Sequence, residues 1–180
     1  MKSTLPARGL AAAAACAALL GGAATAHADT TASGGFSSEP PPPPAQIAMN
    51  ADGRTAVAPA GAPPQVVSAV AAANRITRKP YKWGGGHGRW RDTGYDCSGT
   101  VSYVLHAAGL LKTSRDSTGF MSYGKRGKGG WITVYAHGSH AYMTIAGLRF
   151  DTSGKGERGP RWRLESRSSQ GFVARHPAGL

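Results

Sequence analysis

The chain has 180 residues and carries 21 Lys and Arg against 9 Asp and Glu, a formal charge of +12. That length admits one domain with tails and little more. Two cysteines exclude a disulfide-stapled miniprotein and a four-cysteine zinc site, while 41% hydrophobic residues suffice for one globular core.

The first element is an export signal. Lys2 and Arg8 make a basic start, an Ala-rich apolar run follows around Leu19 and Leu20, and Ala26-His27-Ala28 supplies small residues at a cleavage site. Residues 1–28 therefore read as a secretory signal peptide. The apolar run is shorter than the roughly 20 residues of a membrane span, so no stable membrane span is expected. Residues 29–64 read as a disordered Pro/Ala/Gly-rich linker, with five consecutive prolines at Pro40 to Pro44. Such a segment buries too little to offset its ordering entropy.

Residues 65–180 are expected to form the folded domain, and the basic excess lies there, because charges upstream of it balance. A helix is predicted from Gln65 to about Ile76, with Val66, Val67, Val70, Ala73 and Asn74 on one face. A glycine-rich stretch, Trp83-Gly84-Gly85-Gly86, leads into a polar loop as far as Tyr95. Asp96 can cap a second helix that begins at Cys97, continues through Val101, Val104, Leu105 and Ala108, and stops at Gly109. Beyond Gly127 the pattern becomes short, β-rich and glycine-punctuated. Strands are predicted at 131–136, 140–145, 148–152 and 172–175, with Ala146-Gly147 at a hairpin tip. Helices first and strands afterwards is the order of an α+β domain.

Removal of the signal would leave Cys97 as the one thiol of the mature chain, and a lone exported cysteine asks for a reason. Small buried apolar packing is one reason. Its position offers another: a sulfur at a helix N-terminus meets unpaired amides and the positive end of the helix dipole, which favours a thiolate. The same amides could hold an oxyanion. A thiolate nucleophile needs a base, drawn from His87, His106, His137, His140 and His176. His106 lies nine residues along the same helix, about 13 Å away, which is too far. His176 falls near a chain end that is expected to be loose. His140 opens a strand that runs into the core, and is the best-placed base.

Together, Tyr81-Lys82-Trp83-Gly84-Gly85, Asp96-Cys97-Ser98-Gly99 before a helix, and Ser139-His140 entering a strand hairpin resemble the NlpC-type cell-wall cysteine peptidases. These are papain-like peptidoglycan endopeptidases, and the likeness covers roughly Gln65 to Thr152. The resemblance implies a papain-like fold, with the nucleophile at a helix N-terminus packed on a small antiparallel sheet. It implies Cys97 as nucleophile and His140 as base. It also puts Tyr81, Asp96 and Ser98 on the oxyanion and substrate side, Tyr81 with its hydroxyl near the oxyanion and Asp96 near the amine of a stem peptide. Where such peptidases usually carry a second histidine, this chain has Asp151, eleven residues after His140. A carboxylate there can orient an imidazole, or it can simply form the turn before Thr152-Ser153-Gly154. The Pro-Gly-Asp element that usually opens the first strand is replaced by Gly129-Gly130-Trp131-Ile132. The stretch from Trp83 to Cys97 is longer than usual and contains Arg89, Trp90 and Arg91, which could line the cleft mouth or form an exposed loop.

The expected function is that of an exported, cell-wall-associated, monomeric hydrolase acting on peptidoglycan stem peptides, its basic surface meeting anionic wall polymers. A wall-binding module without turnover, another papain-like amidase or acyltransferase, and a basic structural or effector protein with Cys97 in its core are the alternatives. No nucleic-acid motif accompanies the charge. No cofactor is called for, and no metal-ligand spacing is present.

Overall fold

The computed structural model describes residues 46–156 and 158–180. The expected signal peptide and the linker as far as residue 45, with its proline run, lie outside the described residues. The described chain is mixed α+β. It comprises β1 (Ala48–Met49), β2 (Ala56–Val57), α1 (Pro64–Ile76), α2 (Cys97–Ala107), α3 (Ser117–Phe120), β3 (Lys125–Arg126), β4 (Ile132–His137), β5 (His140–Ile145), β6 (Leu148–Asp151), β7 (Arg161–Arg163) and β8 (Val173–His176). β1 and β2 form a separate two-stranded hairpin. The other six strands make one antiparallel sheet in the order β3-β8-β4-β5-β6-β7.

The two long helices form where their local signals lie. Pro64 occupies the first turn of α1, where its missing N–H loses no bond. In α2 the Asp96 side chain accepts from the Gly99 amide at 2.7 Å, a cap that contributes about 1 kcal/mol. Gly109, at φ 74°, ends the helix region. All of Ser98 to Leu105 is buried, so α2 is the central helix of the molecule. It rests on β5 and against α1. Ser102 reconciles a hydroxyl with this burial by accepting from the Arg115 amide at 3.0 Å and donating to its carbonyl at 3.1 Å.

Strand alternation gives the sheet one apolar face. Ile132, Val134, Ala136, Ala141, Met143, Ile145 and Phe150 join Val101, Val104 and Leu105 in a single core. Side chains alternate along a strand, so Tyr135, His140, Tyr142, Arg149 and Asp151 belong to the opposite face. There Tyr135 pairs with Tyr142 across the β4–β5 ladder, rings stacked at 4.8 Å. The two turns that aim this sheet are tight. His137 pairs directly with His140 around Gly138-Ser139, and Ala146 and Gly147 both take positive φ, 45° and 84°, as a two-residue hairpin turn of the primed type requires.

Three expectations are corrected. The folded unit starts upstream of Gln65: Ala56 is buried, and its N–H and C=O both bond to the Asn74 side chain at 2.9 and 2.8 Å. Residues 46–64 are therefore not linker. Val67, assigned to the buried face of α1, is 47% exposed. His176 is not on a loose end, because it pairs with Lys125 in β8 and Leu180 is buried beyond it. Among the described residues no helix is long and apolar enough to cross a membrane.

Candidate functional site

The start of α2 and the start of β5 meet at the Cys97 sulfur. Cys97 is half-buried, with the His140 imidazole and the Ala141 amide close enough to its sulfur to lower the thiol. His140 directs Nε2 at Asp151 Oδ1, 2.9 Å away, so the carboxylate takes one of its two ring nitrogens. Cys97, His140 and Asp151 are thus in register on three different elements. The geometry follows from pairing: Asp151 ends β6 beside β5, diagonally across from His140, and diagonal neighbours on one face lie within side-chain reach.

Asp151 is 1% exposed. Its Oδ1 also accepts from the Ser153 amide at 3.0 Å and the Ser153 hydroxyl at 3.2 Å, so it both forms the turn and faces the imidazole. Its Oδ2 accepts from Arg167 Nη1 at 3.1 Å. Arg167 also donates to Ser153 Oγ at 2.6 Å and lies 5.2 Å from the centres of the Tyr142 and Phe172 rings. This arginine, absent from the sequence reading, buttresses the carboxylate from the back.

The electrostatics follow from these contacts. Burial alone would raise the Cys97 thiol, but the hydrogen bonds from His140 and from the Ala141 amide, with the His140 charge, hold it below the ordinary thiol range. Burial likewise opposes a charged His140, yet the hydrogen bonds to Asp151 and Cys97 and their charges raise it to about 9. Burial also opposes the Asp151 charge; the His140 hydrogen bond, the Ser153 amide and Arg167 keep it ionised. The charged forms of the thiol and the imidazole therefore stabilise one another.

A cavity borders each of the two side chains. One groove of about 490 Å³ is lined by Cys97 with Tyr81, Trp83, His87, Asp96 and Ser139, among others. A second arm of about 320 Å³ runs past His140, Thr152, Ser153 and Gly154 to Arg158. Tyr81 lines both, which places it at the junction beside the sulfur. Burial and the nearby Cys97 and Asp96 charges raise its phenol, so it remains a donor. Trp83 is 87% exposed and forms an apolar wall. The first-turn amides of Cys97 and Ser98 have no intrahelical acceptor, as in any helix.

Asp96 and Ser98 are placed in the groove but are already engaged. Asp96 Oδ1 accepts from the Gly99 amide and Ser98 Oγ and faces His87 Nε2 at 3.1 Å, and Oδ2 accepts from the Gly84 amide at 2.9 Å. Ser98 Oγ also lies 3.1 Å from His87 Nε2. His87 was passed over as a base. Its place in the glycine-rich loop nine residues before Asp96 is the only signal it carried. The hydrogen bond to Asp96 raises its pKa against the opposing effect of burial.

The longer loop between Trp83 and Cys97 is anchored rather than loose. Trp90 stacks on His106 at 3.8 Å with the rings 4° from parallel. Tyr95 donates to the Trp90 carbonyl at 2.7 Å, and Asp92 pairs with Lys82 at 2.7 Å. Gly99 lets the loop close onto α2, since a Cβ there would overlap the Gly85 carbonyl oxygen. Among the described residues no group of three or more His, Cys, Asp or Glu is arranged to hold a metal ion. No protein-family model matches the chain, and none of the curated proteins matches it.

Proposed function

We propose that the chain is an exported cysteine peptidase of the papain-like, NlpC type, which hydrolyses amide bonds in peptidoglycan stem peptides at the cell wall as a monomer. The observation that carries this reading is the Cys97–His140–Asp151 alignment, with the sulfur at a helix N-terminus and the imidazole held at 2.9 Å by a buried carboxylate. It is supported by two cavities that share Tyr81, one lined by Cys97 and the other by His140.

The chemistry follows from the geometry. The thiolate attacks the carbonyl carbon, forming an S–C bond while the oxyanion turns toward the Cys97 amide and the Tyr81 hydroxyl. His140 gives a ring proton to the leaving nitrogen as the C–N bond breaks. Water then adds to the thioester, His140 takes its proton, and the thiolate departs. Asp151 holds the ring and stabilises its cation throughout.

Cys97→Ser tests the assignment. Release of new amino groups from purified cell wall is expected to vanish, with the thermal midpoint nearly unchanged. Retained turnover would remove Cys97 from the chemistry. Iodoacetamide should alkylate wild-type Cys97 well below about pH 8.5, the unperturbed thiol value. Ordinary slow alkylation would instead favour a wall-peptide binding module.

A further inference from the structure

The face of the sheet turned away from the core carries a separate cavity of about 340 Å³. Its floor is built by strand register: Tyr135 stands opposite Tyr142, and Thr144 opposite Arg149. One wall is the chain that follows β7, from Leu164 to Arg167. Arg149 is 9% exposed. Among the described residues its guanidinium has no hydrogen-bond partner. Nε is buried without an acceptor, Asp151 Oδ2 stands 3.9 Å from it, and Glu165 Oε2 stands 4.0 Å from Nη2. Both separations exceed a hydrogen bond. Neither carboxylate is free to close the gap cheaply. Asp151 is held by His140, Ser153 and Arg167, and the Glu165 side chain is 56% exposed, so water competes for it. Two other guanidinium groups line the cavity but are engaged, Arg167 with Asp151 and Ser153 and Arg163 with the Lys155 carbonyl. Neither is counted toward binding.

A buried charge without hydrogen bonds is costly, and such an orphan marks a place for an acceptor that the chain does not itself supply. The planar guanidinium fork matches a carboxylate. The Asp151 and Glu165 carboxylates beside Arg149 favour a guest with one negative charge over one with two. The body of that guest meets apolar surface: the stacked Tyr135 and Tyr142 rings below and the exposed Leu164 at the rim. Burial pushes the Tyr142 phenol up to about 12, so the floor stays uncharged. We infer that the Arg149 cavity binds a monocarboxylate carried on a small apolar or aromatic body. Cavities of this size hold small organic ligands. Neither Cys97 nor His140 lines it, and the inference does not rest on the peptidase proposal.

The test is ligand-observed fluorine NMR of the full chain with 4-fluorobenzoate. The comparison ligands are 4-fluorobenzamide, which has the same shape without the charge, and 4-fluorophenyl phosphate, which carries a second charge. Wild type should bind the benzoate saturably and in preference to both. Arg149→Gln should weaken binding about 10- to 100-fold, the range for hydrogen bonds to a charged group. Leu164→Ser lies on the exposed rim and leaves the buried charge alone, so it reads the cavity even if Arg149→Gln fails to fold. It should weaken binding about 3- to 10-fold through lost apolar contact. No saturable binding by wild type overturns the proposal and leaves water as the acceptor for Arg149. Binding unchanged in either variant also overturns it, because the benzoate would then sit elsewhere. Equal affinity for the benzamide overturns the carboxylate assignment, and tighter binding of the phosphate overturns the single charge.

Discussion

Asp151→Asn removes one charge and almost no volume, and it isolates what the buried carboxylate does for the thiol. At the observed 2.9 Å from His140 Nε2, an effective dielectric of about 20 gives a pair attraction of about 6 kcal/mol, equivalent to about four pKa units. That is a ceiling, because the His140 side chain keeps 16% exposure and water screens it. A carboxylate beside a cation commonly shifts it by about 1–3 units. His140, raised to about 9 in the wild type, should therefore fall back toward the ordinary histidine value. The imidazolium that holds the Cys97 thiolate is then partly lost at neutral pH, so the thiol rises as the imidazole falls. The assay is the rate of iodoacetamide alkylation against pH. In the wild type, thiolate should appear as pH rises through the lowered thiol value, and on the peptidase proposal turnover should fail as pH passes about 9, where His140 loses the proton that a leaving amine would need. In the variant the alkylation limb should move to higher pH, with the rate at pH 6 down about 10- to 100-fold. Loss of the Arg167 partner should also destabilise the fold by about 1–3 kcal/mol. That loss cannot by itself displace the pH limb of protein that is still folded. An unchanged limb would refute the argument that Asp151 acts through His140.

Gly99→Ala drives a Cβ into the Gly85 carbonyl and should lower stability by about 1–3 kcal/mol or more, read as a drop in the urea midpoint; a neutral result would mean the loop is not clamped to α2. Asn74→Ala removes the bonds to the Ala56 backbone and to Trp162 Nε1, with an expected loss of about 2–4 kcal/mol. A start at Gln65 should lower the midpoint in the same direction, whereas the earlier linker boundary would predict no change. Tyr81→Phe should cut kcat about 100-fold with KM little changed, the size seen on deleting one oxyanion donor. Equal loss through KM alone would assign Tyr81 to substrate binding instead.

What was legible in the sequence is what is local. The cap at Asp96, the apolar spacing of Val101, Val104 and Leu105, and the stop at Gly109 place the sulfur at a helix start with no tertiary information. Short β-rich runs punctuated by glycine located β4, β5 and β6 within a residue. The features that escaped are held by distant partners. β1 and β2 are two residues each, inside a Pro/Ala-rich composition, and the Asn74 amide binds β2 to α1 from 18 residues away. β7 is Arg-Trp-Arg, polar to any hydropathy scan, yet its Trp162 packs on Phe150 at 4.8 Å. Arg167 reaches Asp151 from a segment with no periodicity at all.

Cys97 sits between two carboxylate–imidazole pairs whose effects on it are opposite in sign. Asp151 stabilises the thiolate through His140. Asp96 stands beside the sulfur and its charge raises the thiol, yet it cannot be dispensed with, since it caps α2 and pins the Gly84 amide. His87 resolves the conflict: held at 3.1 Å and with its pKa raised by that contact, it balances the Asp96 charge when protonated and so lessens its effect on the thiol. The same pairing bears on the amine-binding role that the resemblance implied for Asp96. A peptide ammonium would have to replace His87 at an oxygen that already accepts from Gly99 and Ser98, exchanging one cation for another with little net electrostatic gain. That gain grows only as pH rises through the His87 value and the imidazole becomes neutral, so any preference for a free amino terminus should strengthen toward alkaline pH until the amine itself deprotonates.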